Sequence, residues 1–400
     1  MPRIRKAIVY LDTSTISHMA RAAMRGQGDG CAWLRLRNAL TDAVRDEIIC
    51  CPVSGLVEQE GELCQLSNEI RRLARELGIV GFKSQLGVGR AQIFRAFERF
   101  RAGQPPQVET DPPVEDALDD SPHGWNPIMN IHVLTTPIPG LVEKRRSRKT
   151  TTAQRAEAIF RGYEQDGLDY EAIRVRKLNG LGRALIEEMI QSAAMRHSPE
   201  AVLRDSEGAA YLLKTTLELL IFQVRQSQGV SADEAVDAAV DFARSPHAQT
   251  TASSQISASL YAALAMKMRG PTGRVVRASD MDDVKHLATY LPYCDVFIAD
   301  RFFASLCNEP MIRLGERFDC RICSLGENDI DGFIQHLQAL TRAAPHAELA
   351  HRIHEGIVEG GYHQEVAERM RRYLDNGDAD NGDAHETLLP AAPVPPDDRQ

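Results

Sequence analysis

Two aspartates close apolar runs far apart in the chain. Asp12 ends Ala7-Ile8-Val9-Tyr10-Leu11-Asp12, with Thr13 and Ser14 following, and Asp300 ends Asp295-Val296-Phe297-Ile298-Ala299-Asp300. Each run suits one buried strand. Ligands of open α/β sheets bind beyond the carboxyl ends of the strands, so two such strands can bring two negative charges to one place. Glu58 stands one helical turn after Ser54, just beyond a second apolar run at 48–53, and Glu62 lies on the same helix face. A fourth segment, Ser279-Asp280-Met281-Asp282-Asp283-Val284, opens a helix with the apolar stripe Val284, Leu287, Ala288 and Leu291. Asp283 borders that stripe and is the expected inward acid, with Asp280 second. Asp282, His286 and Thr289 fall on the other side.

Such a cluster needs a cation. Two like charges about 4 Å apart repel by roughly 4 kcal/mol at an effective dielectric of 20, and crowded carboxylates without a counter-ion protonate in part. Mg²⁺ or Mn²⁺ relieves this, being hard and oxygen-seeking. It would also lower the pKa of bound water and steady charge on a phosphoryl oxygen, and hydrolysis of a phosphodiester is the natural reaction. Each acid has a plainer reading. Ser279 with Asp282 is a capping-box-like start, first-turn acids suit the helix dipole, and an Asp after a strand forms turns. Four segments with acids at one end of a sheet shift the balance toward metal chemistry.

Composition narrows the rest. The 400-residue chain is 43% hydrophobic and 26% charged, enough for a full core and more than one folded unit. Only about six apolar residues follow the basic start before Asp12, too few for a signal sequence, and no run reaches the ~18 apolar residues of a membrane span. A cytoplasmic protein with no membrane partner is expected. Eight cysteines spread thinly along the chain read as reduced, buried thiols. Cys320-Arg321-Ile322-Cys323 has no second pair to complete a zinc site. A net charge of −9 argues against a generally basic surface. One local basic run, Lys144, Arg145, Arg146, Arg148 and Lys149, reads as a solvated loop able to guide a phosphate backbone.

The periodicity predicts strands at 7–12, 48–53, 296–299 and 320–324, with Thr13 or Ser14 capping the first helix. It places helices at 31–46, 66–77 and 90–101, a purely helical block at 151–268, and helices at 280–291, 330–340 and 346–374. Ser231 is the expected cap of one of them. The expected organisation is a core in two parts, 1–103 and 271–345, around an acidic Pro-rich linker at 104–127 and a helical insertion at 128–270. A C-terminal helix, 346–375, and a disordered tail, 376–400, complete it.

The four acidic segments resemble the motifs of the PIN-domain family of metal-dependent ribonucleases. Tyr10-Leu11-Asp12-Thr13-Ser14 is similar to that family's first motif, and Ser54-Gly55-Leu56-Val57-Glu58 to its second. Asp283-Val284-Lys285-His286-Leu287-Ala288 is similar to the third, and Cys294-Asp295-Val296-Phe297-Ile298-Ala299-Asp300 to the fourth. The resemblance covers roughly residues 5–100 and 275–335. It implies a three-layer α/β/α core with a short, mostly parallel sheet, here carrying an all-α insertion. It also implies Mg²⁺- or Mn²⁺-dependent endonucleolytic cleavage of RNA. Asp12, Glu58, Asp283 and Asp300 would be the metal and catalytic residues, with Ser14, Asp280 and Glu62 auxiliary. Two departures are visible: Ala299 replaces the usual Thr before the fourth acid, and a long insertion separates motifs two and three.

Other site types fit less well. A haloacid-dehalogenase-type phosphatase needs an acid where Ser14 stands, and a von Willebrand-type metal site needs a hydroxyl where Ile16 stands. Gly87-Val88-Gly89 lacks the third glycine of a nucleotide loop, and no Gly-x-Ser-x-Gly elbow marks a hydrolase. The remaining alternative is a PIN-like scaffold that keeps its acids as caps and binds a protein partner, an inhibitor or nucleic acid through the helical block.

Overall fold

The computed structural model describes residues 6–26, 30–54, 67–78, 81–118, 141–196, 215–270 and 273–343. Residues 1–340 form one compact unit, so the helical block and the two parts of the core are not separate bodies. The expected helix at 346–374 and the tail lie outside the described residues.

Four short strands, β1 (Ala7–Leu11), β2 (Ile49–Cys50), β3 (Val296–Ile298) and β4 (Arg321–Cys323), form a sheet in the order β2-β1-β3-β4. Every pairing is parallel, so the sheet is wholly parallel among the described residues. A parallel sheet needs helical crossovers and is covered on both faces, which is why β1 and β3 are almost purely apolar. The chain is α/β and mostly helical, which is compatible with a three-layer arrangement.

From β1 the chain enters α1 (Thr13–Met24) and α2 (Ala32–Arg45) before β2. Helices α3 (Ser67–Leu77) and α4 (Gln85–Arg101) follow. Next come α5 (Leu141–Gln165), α6 (Tyr170–Arg196), α7 (Thr216–Gln228), α8 (Ala232–Arg244) and α9 (Ala252–Lys267). Helix α10 (Asp280–Tyr290) leads through one 3-10 turn into β3. Helices α11 (Arg301–Cys307) and α12 (Leu314–Arg317) join β3 to β4, and α13 (Ile330–Ala343) follows β4.

Local chemistry explains the helix ends. Thr215 with Glu218 and Ser231 with Glu234 form reciprocal capping boxes that start α7 and α8. Gly229 ends α7 at φ +63°, a left-handed turn that a side chain disfavours. Phe97, Leu220, Val224, Ala239 and Phe242 then bury α4, α7 and α8 against one another. The expected helix at 90–101 begins earlier, at Gln85, because Ser84 accepts the Gly87 amide and carries the chain through Gly87-Val88-Gly89.

The Pro-rich stretch is no free linker over its described part. Arg95 of α4 grips Glu109 with two bonds of 2.8 and 3.0 Å and also pairs with Asp116. Arg99 adds a contact to Glu109 at 3.3 Å. Backbone bonds from Glu109 to Thr250 and from Lys83 to Ala117 fasten the segment further. Glu109 and Asp116 are thus neutralised by arginines that face them, a pairing composition alone does not reveal.

Candidate metal centre

Strands β1 and β3 are neighbours, with Leu11 opposite Ile298. The chain moves from β1 outward to β2, returns across to β3 and continues away to β4. With right-handed crossovers, the helices leaving β1 and β3 turn to opposite faces. The crevice between those two strand ends is therefore the topological switch point of the sheet, where ligands of open α/β sheets bind. Asp12 and Asp300 both stand there. The register sets Asp12 beside Ala299 and Asp300 one residue further, so strand spacing and rise put the two backbones about 6 Å apart.

Each aspartate caps the helix that follows it. Asp12 accepts the Ser14 amide at 3.4 Å and the Ser14 hydroxyl at 2.5 Å. Asp300 accepts the Phe303 amide at 2.7 Å. The cap of α1 is Asp12 itself, rather than Thr13 or Ser14 as the sequence suggests, because its carboxylate reaches forward to accept the Ser14 amide. Two helix N-termini, each capped by its own aspartate, thus stand at adjacent strand ends.

Asp283 reaches the same end by a different route. Helix α10 feeds β3, so it runs opposite to the strand and its first turn lies at the sheet's carboxyl end. Inside, the Tyr10 hydroxyl bonds His286 Nδ1, with the rings edge to face at 5.9 Å. Ser54 Oγ lies 3.4 Å from the same hydroxyl. Tyr10 precedes Asp12 by two residues, hence on one strand face, while His286 follows Asp283 by nearly one turn. That buried bond fastens the half-buried Asp283 to the strand that presents Asp12. His286 and Thr289 are buried, contrary to their expected outward side, because α10 packs on more than the sheet.

Other acids are already committed. Asp280, 1% exposed, takes two bonds from Arg274 at 2.5 and 2.7 Å and one from the Arg277 amide at 2.7 Å. It is a structural anchor rather than an auxiliary metal group. Arg274 also lies over the Phe302 ring at 3.7 Å, drawing the start of α10 toward that of α11. Ser279 makes no capping bond from its side chain. Asp282 sits between Lys149 at 2.7 Å and Lys285 at 3.2 Å. Burial alone would raise its carboxyl pKa, but the two ammonium groups outweigh burial and hold it below the ordinary value. Asp295 is at the amino end of β3, accepting the Ile8 amide at 2.7 Å.

The basic run is helical and not a loop. Lys144, Arg145, Arg146, Arg148 and Lys149 all lie in the first half of α5. The side chains of Lys144, Arg145 and Arg146 lie outside what is described, Arg148 is exposed, and Lys149 reaches Asp282. Glu58 and Glu62 also lie outside the described residues. Among the described residues no three His, Cys, Asp or Glu side chains gather as a metal cage.

The cysteines among the described residues are free thiols. Burial raises the pKa of Cys51, Cys294 and Cys320, and Cys307 is pushed up to about 12. They are packing residues rather than nucleophiles. The pair Tyr10 and His286 was missed by sequence reasoning. Its only signal was one polar aromatic inside an otherwise aliphatic strand and one imidazole beside an apolar helix stripe.

No protein-family model, curated protein or solved structure matches this chain.

Proposed function

We propose that this protein is a Mg²⁺- or Mn²⁺-dependent nuclease with a PIN-like core, cutting RNA endonucleolytically at the crevice between β1 and β3. The observation that carries the reading is the pair Asp12 and Asp300, each capping a helix at adjacent strand ends of the switch point. In this reading Asp12 and Asp300 hold the cation, and Glu58 and Asp283 bind it or hold its water. Bound there, the cation would acidify water and stabilise charge on the scissile phosphate.

The chain's own groups have separate tasks. Ser14 donates to Asp12 Oδ2 and fixes that carboxylate's orientation. The amides at the starts of α1 and α11 favour the approach of a phosphate. Asp283 is assigned as acceptor of a water proton, held in register by the Tyr10–His286 bond. Arg148, exposed on α5, would follow the RNA backbone, giving salt-sensitive binding.

Asparagine caps helices about as well as aspartate, so Asp12→Asn and Asp300→Asn remove charge while keeping the cap. Each should abolish Mg²⁺-dependent cleavage of a labelled single-stranded RNA, with an equal or higher Tm. Unchanged cleavage in both variants overturns the reading. One observation favours a second reading: both acids already accept helix amides, as they would in an inactive scaffold. The scaffold predicts no RNA cleavage by wild type with either metal.

A further inference from the structure

Helix α1 carries a polar stripe that the proposed chemistry does not use. Ser14, His18, Arg21 and Arg25 are spaced four, three and four apart, so they line one helix face, and all four are exposed. Their neighbours Thr13, Thr15, Ile16, Ser17, Met19, Ala20 and Ala22 are buried, and the helix contains no acid. The stripe begins at Ser14, whose hydroxyl binds Asp12, and runs outward from the crevice.

His18 is a stacked ring rather than a loose polar side chain. It lies nearly parallel to the Trp33 indole, with centroids 4.7 Å apart and planes at 12°. Trp33 is 7% exposed and belongs to the core, so it acts as a rigid floor beneath an exposed imidazole. Burial and the nearby Arg21 lower the imidazole's pKa against the opposing pull of Glu327, which favours a neutral ring. Four residues of helix put His18 about 6 Å along the axis from Ser14. That is a step from the crevice to the next nucleotide.

We infer that this face of α1 is a single-strand track, with His18 stacking on one base and Arg21 and Arg25 meeting the phosphates beyond it. The inference rests on the nuclease reading and adds its substrate form: unpaired RNA, because a base locked in a duplex cannot lie flat on the ring. Fixing the ring on Trp33 in advance removes part of the ordering cost of binding. Stacking is tolerant of base identity, so the track selects strandedness rather than sequence. The plainer role, His18 as a cover for Trp33, needs only bulk. Leucine supplies bulk without a π face.

The test measures binding of a fluorescein-labelled twelve-nucleotide RNA to the full chain by anisotropy, in EDTA so that nothing is cut. His18→Leu should weaken binding roughly tenfold while His18→Phe stays near wild type. Arg21→Gln with Arg25→Gln should flatten the salt dependence by about 1.4 logarithmic units per decade of salt. A fully paired RNA should bind more weakly and show no response to His18→Leu. If wild type binds but His18→Leu matches it, or the paired RNA shows the same loss, the track is overturned. The nuclease reading then still stands on cleavage by wild type and its loss in Asp12→Asn. If wild type binds no RNA in EDTA, the track falls, and the nuclease reading is judged by Mg²⁺-dependent cleavage alone.

Discussion

Asp295 and Asp300 bracket the same short strand, yet their surroundings differ completely. At the amino end, Asp295 is spent on the Ile8 amide of the neighbouring strand. Around it lie buried thiols, Cys294 and Cys320, whose ionisation burial suppresses. At the carboxyl end, Asp300 stands on a helix N-terminus beside Asp12 on another. One end of the sheet uses its acid to join strands, and the other sets two acids as caps on the helices that leave adjacent strands. A parallel sheet makes this asymmetry, since every strand points the same way and every following helix presents its N-terminus at one edge.

The sharpest way to break the comparison is to disturb an acid at the carboxyl end that is structural. Arg274→Met leaves the buried Asp280 charge uncompensated and should cost about 3–5 kcal/mol by denaturant unfolding. A loss near zero would mean that Asp280 is solvated and could serve a metal after all. Next is Asp12→Asn. Cleavage should fall by more than the ~10–100-fold typical when a group that only orients a metal ligand is lost, with stability kept. Asp12→Ala should share the activity loss and add about 1 kcal/mol of destabilisation from the missing cap.

The amino end supplies the control. Asp295→Ala should destabilise by roughly 1.5–3 kcal/mol, the scale of a hydrogen bond to a charged group, while cleavage per folded molecule stays unchanged. A fall in specific activity would erase the distinction between the ends. The smallest effect concerns Asp282. Its lowered pKa means the Lys149 and Lys285 pairing stabilises the fold above the carboxyl's ordinary value of 3.8, and this fades as pH falls below it. Lys149→Gln should therefore cost about 1 kcal/mol near neutrality. The gap from wild type, read from Tm against pH, should close in acid.

Local pattern carried much of this. The apolar runs before Asp12 and Asp300 marked β1 and β3, and Ser231 was legible as a cap because its partner lies three residues away. What stayed hidden was pairing across distance. Nothing near Asp280 in the stripe analysis announces that Arg274 would claim it, and nothing in the prolines of 104–118 reveals the arginines of α4. The basic run of α5 reads as a loop when only charge is weighed. It is helical because Arg and Lys are good helix formers and Lys149 finds Asp282. Strand order, and hence the switch point, could not be read from residues at all, since it depends on which side of β1 the chain returns.

Calorimetric titration of Mn²⁺ into the metal-free protein, compared across Asp12→Asn, Asp300→Asn and Asp295→Asn, tests the central claim most directly. The account predicts wild-type binding that weakens at least tenfold in the first two variants and stays intact in the third. Binding that ignores Asp12 and Asp300, or that Asp295→Asn weakens as strongly, would contradict it.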